Sequence, residues 1–282
     1  MTIENNVSVE SNQGKPNEAH SEQVIVLGAS NVAISLSRLV HSIRKSIPAE
    51  RPLNLLIAGG HGRSYGMTSR VLARSLPGIR NCGIWDALET IRQQEPRNSS
   101  LRPKALLTDV GNDLIYGVAV ERLVGWVETC LERLQKYQAD IVMTGIPLQS
   151  LARLSPLRYT MTQKMFFPTN SSEHGKMVGQ ATELNEQLEL LAEKYHAAFE
   201  PQPGDWFGFD PIHFRGRQRP FIWQKLCQHW SEFDAERTDW KSNPFQTAQS
   251  WRWKPAQRGL FGKSQTTHQP CFEDQQMKLY LY

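Results

Sequence analysis

The residues that together suit acyl transfer lie far apart in this chain. They are the lone Ser30 of "VIVLGASNVAISLSRLV", the glycines of "GGHGRSYG", Asn112 in "VGNDL", and Asp210 with His213 in "WFGFDPIHFRG". A serine that opens a helix has its own N–H aimed outward, as part of an anion-accepting terminus. Gly62 lets the backbone come close and offer a second N–H, with Gly66 as the alternative glycine. The Asn112 carboxamide can supply a third. Three donors around a developing oxyanion make the preorganised hole such chemistry needs, and loss of one lowers turnover by about 10²–10³. Asp210 and His213 stand three residues apart in a Pro-containing turn. That spacing lets the carboxylate fix the imidazole tautomer, leaving His213 to deprotonate Ser30. Each residue also has an ordinary reading: Ser30 as an N-cap, Gly62 as a turn residue, Asn112 and Asp113 as a helix start. Their joint placement favours the chemistry.

That placement depends on the elements around them. Short apolar runs alternate with amphipathic helices along most of the chain. The runs are Gln23–Leu27, Leu53–Ala58, Lys104–Val110, Ala139–Ile146 and Ala197–Pro201. Helical periodicity carries Val32, Leu36, Leu39, Val40 and Ile43 on one face, and Leu123, Val127, Cys130, Leu131 and Leu134 on another. A further helix holds Leu184, Leu188 and Leu191, and "RQRPFIWQKLCQHW" is the last. Alternation of this kind predicts an α/β fold with a mostly parallel, about five-stranded sheet covered on both faces. Ligands of such sheets bind beyond the carboxyl ends of the strands. Ser30 follows the first strand, Gly62 the second and Asn112 the third, so all three are expected along one edge.

The four blocks resemble those of the SGNH hydrolases, the GDSL-type esterases and lipases. "LGASN", "GGHGRS", "VGNDL" and "DPIH" stand in family order over roughly residues 20–235. The resemblance implies a flavodoxin-like three-layer α/β/α sandwich and a serine-dependent hydrolase of acyl or acetyl esters. It implies Ser30 as nucleophile, His213 as base, and Asp210 orienting His213. Ser30, Gly62 and Asn112 would form the oxyanion hole, with no metal or organic cofactor. Two positions depart from the family pattern: Ala29 stands where the first block usually has Asp, and Val110 where the third usually has Gly. A catalytically silent SGNH-like binding module is the alternative. Nucleotide binding fits less well, because "GGHGRSYG" lacks the Lys-Ser/Thr ending of a phosphate loop.

The remaining sequence sets the domain and partner expectations. Residues 1–21 form a polar leader expected to be disordered, 22–235 the catalytic domain, and 236–282 a Trp-rich, basic tail. The tail is expected to act as a strap on the main domain. The 147–177 stretch, with Met161, Met165, Phe166 and Phe167, reads as a long loop that could line a pocket. Asp109 and Asp113 are expected to fix loops rather than act as acids. Arg215, Arg217 and Arg219, directly after His213, are candidates to meet an anionic group on a small-molecule ester substrate. A net charge of +4 is too small to argue for nucleic acid. No apolar run is long enough for a transmembrane helix. Cys82, Cys130, Cys227 and Cys271 show no metal or disulfide spacing, which suits free thiols and a cytoplasmic protein. Oligomeric state is not legible.

Overall fold

The computed structural model describes residues 21–94, 101–153 and 174–282. The leader up to residue 20 and the four apolar residues Met161, Met165, Phe166 and Phe167 lie outside the described residues. Strand β1 (Glu22–Leu27) is buried along its whole length, as Val, Ile and Leu in a run dictate for a strand covered on both faces. It leads into α1 (Ser30–Ile34) and α2 (Leu36–Ser46), then β2 (Leu53–Ala58). A hairpin, β3 (Ser69–Val71) and β4 (Arg74–Leu76), precedes α3 (Ile84–Gln94) and β5 (Lys104–Leu107). Next come α4 (Asn112–Ile115), α5 (Val120–Gln135), β6 (Asp140–Thr144) and α6 (Leu148–Ala152). Helix α7 (His174–Lys194), β7 (Ala198–Glu200), α8 (Arg219–Cys227) and α9 (Pro244–Ser250) follow. The chain closes with β8 (Gln257–Leu260), β9 (Lys263–Thr266), β10 (Phe272–Glu273) and β11 (Met277–Leu281).

The central sheet has the order β10-β11-β2-β1-β5-β6-β7, and only the β10–β11 pair is antiparallel. Side chains alternate between two cores. Val24 and Val26 of β1 face α2 and α8 with Leu53, Leu55 and Ile57, whereas Ile25 and Leu27 face α3, α5 and α7 with Leu56 and Ala58. This is a three-layer α/β/α sandwich. It corrects the strand count: the sheet has seven strands where the apolar runs give about five. The two extra come from the Trp- and Gln-rich end of the sequence. Leu279 and Leu281 of β11 are buried, and β11 runs parallel to β2. Strands β3, β4, β8 and β9 form a separate four-stranded sheet.

Strand order reverses at β1, which sits between β2 and β5, so the loops after these three strands open on one crevice. Gly28 makes the first of these turns possible. A Cβ there would stand 2.5 Å from Val32 Cγ2 and 2.8 Å from Thr108 Cγ2.

Candidate active site

Ser30 is the first residue of α1 and is buried, but it does not cap the helix. The cap position belongs to Ala29, and no side chain of the helix's own strand-to-helix turn closes it. The cap comes from the loop after β5. Asp109 Oδ2 accepts the N–H of Ala29 at 2.9 Å and that of Asn31 at 3.0 Å, one residue either side of Ser30. Ser30 is left with its Oγ and its N–H in no hydrogen bond among the described residues. Asp109 reaches this place from a left-handed backbone, φ 60°. Burial pushes its carboxyl up, against the pull of the Asn31 side chain, the two N–H groups and the charge of His213.

Asn31 then joins the serine's helix to the histidine's loop. Its Nδ2 donates to Asp109 Oδ1 at 2.7 Å and to the Ile212 carbonyl at 2.9 Å. Its Oδ1 accepts the Phe214 N–H at 2.9 Å. The residue after Ser30 thus holds the backbone on both sides of His213. The rest of that loop is fixed by Trp206, Phe207 and Phe214, all buried, with Phe207 and Phe214 bridged as strands. His213 and Asp210 meet as the sequence spacing suggests. Asp210 Oδ2 lies 2.5 Å from His213 Nδ1, and Asp210 Oδ1 accepts the N–H groups of Ile212 (3.0 Å) and His213 (3.3 Å). Burial raises the Asp210 carboxyl, but the His213 ring, its charge and those two N–H groups outweigh it. The carboxyl ends below its ordinary value and is ionised at neutral pH. Nδ1 is engaged by Asp210, and Nε2 is the other ring nitrogen of His213.

Asn112 opens α4 and is buried, and its Nδ2 finds no hydrogen-bond partner. A buried amide left unpaired costs about 1–3 kcal/mol and calls for a reason. Asn112 lines an apolar cavity of about 80 Å3, walled by Ile115, Ile146, Leu151, Met177 and Ala181 and reaching Asp109, Asn31 and Ile212. Asn112 thus stands in the wall of this cavity with its amide donor unpaired.

The structure separates the two glycines. Gly62 has φ +61°, which glycine alone adopts without strain, and its N–H is in no hydrogen bond among the described residues. Its carbonyl is held by Tyr116 Oη at 2.6 Å. Gly66 is packed under Trp126 and donates its N–H to Ser64 Oγ at 3.1 Å, so it has no donor to offer. Asp113 fixes this loop: it accepts the Tyr65 N–H at 2.8 Å and the Ser64 hydroxyl. Burial pushes its carboxyl up to about 6, against those two donors.

The arginines stand apart from the cavity. Arg215 donates Nε to the Phe207 carbonyl and Arg219 donates Nε to the Phe214 carbonyl at 3.2 Å, both bracing the histidine loop. Arg217 is exposed. All four cysteines are free; Cys82, Cys130 and Cys227 are buried. Among the described residues no helix is long and apolar enough to cross a membrane.

The chain is similar to known esterases. Among solved structures it resembles the psychrotrophic esterase EstA from Pseudoalteromonas sp., at 14% identity and a TM-score of 0.41 over 74% of this chain and 96% of that one. It resembles TesA at 13% identity and a TM-score of 0.40, over 74% and 98%. It also resembles AlinE4, an SGNH-hydrolase family esterase, at 15% identity and a TM-score of 0.32, over 64% and 75%. Likeness this distant assigns neither a substrate nor a catalytic residue to this chain. No family model matches the sequence, and no curated protein matches it.

Sequence reasoning missed Asn31 as part of the site, whereas Asp109 fixes a loop as expected, by accepting the Ala29 and Asn31 N–H groups. The only signal for Asn31 was its place beside Ser30, and Asp109 lies three residues before Asn112 in a stretch read as strand.

Proposed function

We propose that this protein is a serine-dependent ester hydrolase of the SGNH type, acting on esters with an apolar acyl group. The observation that carries the reading is the Asp210–His213 pair together with the unpaired Asn112 amide, in the wall of an apolar cavity that Pro211 and Ile212 also line. Ser30 Oγ attacks the ester carbonyl as His213 Nε2 takes its proton, and Asp210 holds the ring and the charge it gains. The transfer requires Ser30 Oγ to come within reach of Nε2, and Asn31 is what keeps the two backbones adjacent. The carbonyl oxygen, now an oxyanion, receives the N–H groups of Ser30 and Gly62 and the Asn112 amide. Collapse expels the alcohol, which takes the proton back from His213. Water, deprotonated by the same nitrogen, then attacks the acyl-serine; the acyl–Oγ bond breaks, Ser30 Oγ takes the proton back from His213, and the acid is released. The acyl group lies in the apolar cavity. With Arg215 and Arg219 engaged by carbonyls, Arg217 is the arginine left to meet an anionic part of the substrate.

The test is hydrolysis of p-nitrophenyl acetate, butyrate and octanoate by the wild type and Ser30→Ala. Turnover by the wild type, stronger for the longer chains, and a loss of about 10³-fold or more in Ser30→Ala supports the reading. A folded wild type that hydrolyses none of the three overturns it.

A further inference from the structure

The small sheet carries a feature that catalysis does not use. Pairing of Arg74 with Leu260 brings the β3–β4 and β8–β9 turns to the same end, and the Phe261 N–H donates to the Ala73 carbonyl at 2.8 Å. At the two turns stand Leu72, 101% exposed, and Phe261, 81% exposed. Both have left-handed backbones, φ 53° and 49°. Hairpin turns of this kind ordinarily place Gly, Asn or Asp at such positions. Leucine and phenylalanine there are strained and bury nothing, so folding alone gives no reason for either. Around them the charge has one sign: Arg70, Arg74, Arg258 and Lys263 lie in the four strands, and no acidic residue does. Arg74 and Lys263, the residues directly flanking the tips, are exposed.

We propose that these paired hairpin tips dock the protein onto an anionic lipid bilayer. Two apolar side chains on a convex, basic end suit a soft interface that accepts point insertion, with the cations on the headgroups. A protein partner would need a matching pair of pockets. A nucleic acid would need stacking platforms, which a fully exposed leucine does not supply. The surface is joined to the site. Val71, next to Leu72, packs on Gly62, where an added Cβ would stand 2.5 Å from Val71 Cγ2. His61 lies near both Arg74 and His213, and desolvation, with the neighbouring His213 and Arg74, holds its imidazole below the ordinary value. Docking would set the catalytic crevice beside the lipid surface; that consequence rests on the hydrolase reading, while docking itself does not.

The experiment is flotation of the full chain with vesicles of phosphatidylcholine alone and of phosphatidylcholine with phosphatidylglycerol. The wild type and Ser30→Ala are expected to float equally with the anionic vesicles and to be released by salt. Leu72→Asn with Phe261→Asn should weaken binding about tenfold or more, with a thermal midpoint unchanged or raised because asparagine relieves the strain. Arg74→Gln with Lys263→Gln should weaken it about fivefold per charge removed, independently of any effect on the tips. A folded wild type that stays unbound overturns the proposal, as does vesicle binding by both double variants at wild-type strength. Binding to a single-stranded oligonucleotide without binding to vesicles also overturns it. Loss of ester hydrolysis with vesicle binding intact would sink the hydrolase reading alone.

Discussion

The unpartnered Asn112 amide and the Asn31 carboxamide that ties α1 to the histidine loop are the two residues on which the proposed site turns. Asn112→Ala should lower kcat by about 10²–10³ while leaving KM for an apolar ester nearly unchanged, because its donor acts only once the oxyanion forms. Steady-state kinetics on p-nitrophenyl butyrate check this; a change confined to KM would assign Asn112 to substrate binding instead. Asn31→Ala releases the histidine loop from the serine's helix, and kcat/KM should fall about 10²-fold or more. The loss in unfolding free energy should stay near about 1–3 kcal/mol, since the buried cores are untouched. An activity loss no larger than that stability change would reduce Asn31 to a structural residue. Ser30, Gly62, Asn112, Asp210 and His213 could be proposed from the sequence because each follows a strand or shares a turn. Asn31 could not, because its partners lie 78, 181 and 183 residues away. Only the folded chain shows which carbonyl and which N–H that carboxamide meets.

Among the elements, α4 and the loop after β2 are tied together by Asp113, and this junction is expected to respond to pH. The folded Asp113 carboxyl titrates near about 6, above its ordinary value of 3.8. Between those values the native state keeps a proton that the unfolded chain has released. Stability contributed by Asp113 is therefore fully present below the ordinary value and is lost as pH rises through about 6. Asp113→Asn removes this slope. Comparing chemical denaturation of wild type and variant, the difference should move in the variant's favour between about pH 4 and about pH 7; a constant difference would contradict the assignment. The long apolar runs announced β1, β2, β5 and β6 because burial on both faces demands them. The strands of the small sheet were invisible for the opposite reason. They are three or four residues long and half exposed, so neither apolar runs nor alternation marks them.

For the molecule as a whole, the far end of the sequence completes the sheet. In "MKLYL" the buried Met277, Leu279 and Leu281 alternate with the exposed Lys278 and the half-buried Tyr280, a pattern legible in retrospect but set among Gln-rich residues. Arg63, fully buried, donates to the Tyr282 carbonyl as well as to those of Gly59 and Pro77. Removing residues 272–282 should strip β2 of one neighbour, take three buried apolar side chains out of the core and leave the guanidinium short of an acceptor. At about 1.5–3 kcal/mol per side chain, the loss is comparable to the whole stability of a domain. Thermal unfolding by circular dichroism should show no cooperative transition; a transition at the wild-type midpoint would contradict the place given to β11. The most direct measurement of the proposed chemistry is labelling by a fluorophosphonate probe, which reports an activated serine whatever the substrate. The wild type is expected to label, and Ser30→Ala and His213→Ala are not. A folded wild type that fails to label, or labelling that survives Ser30→Ala, would contradict the site described here.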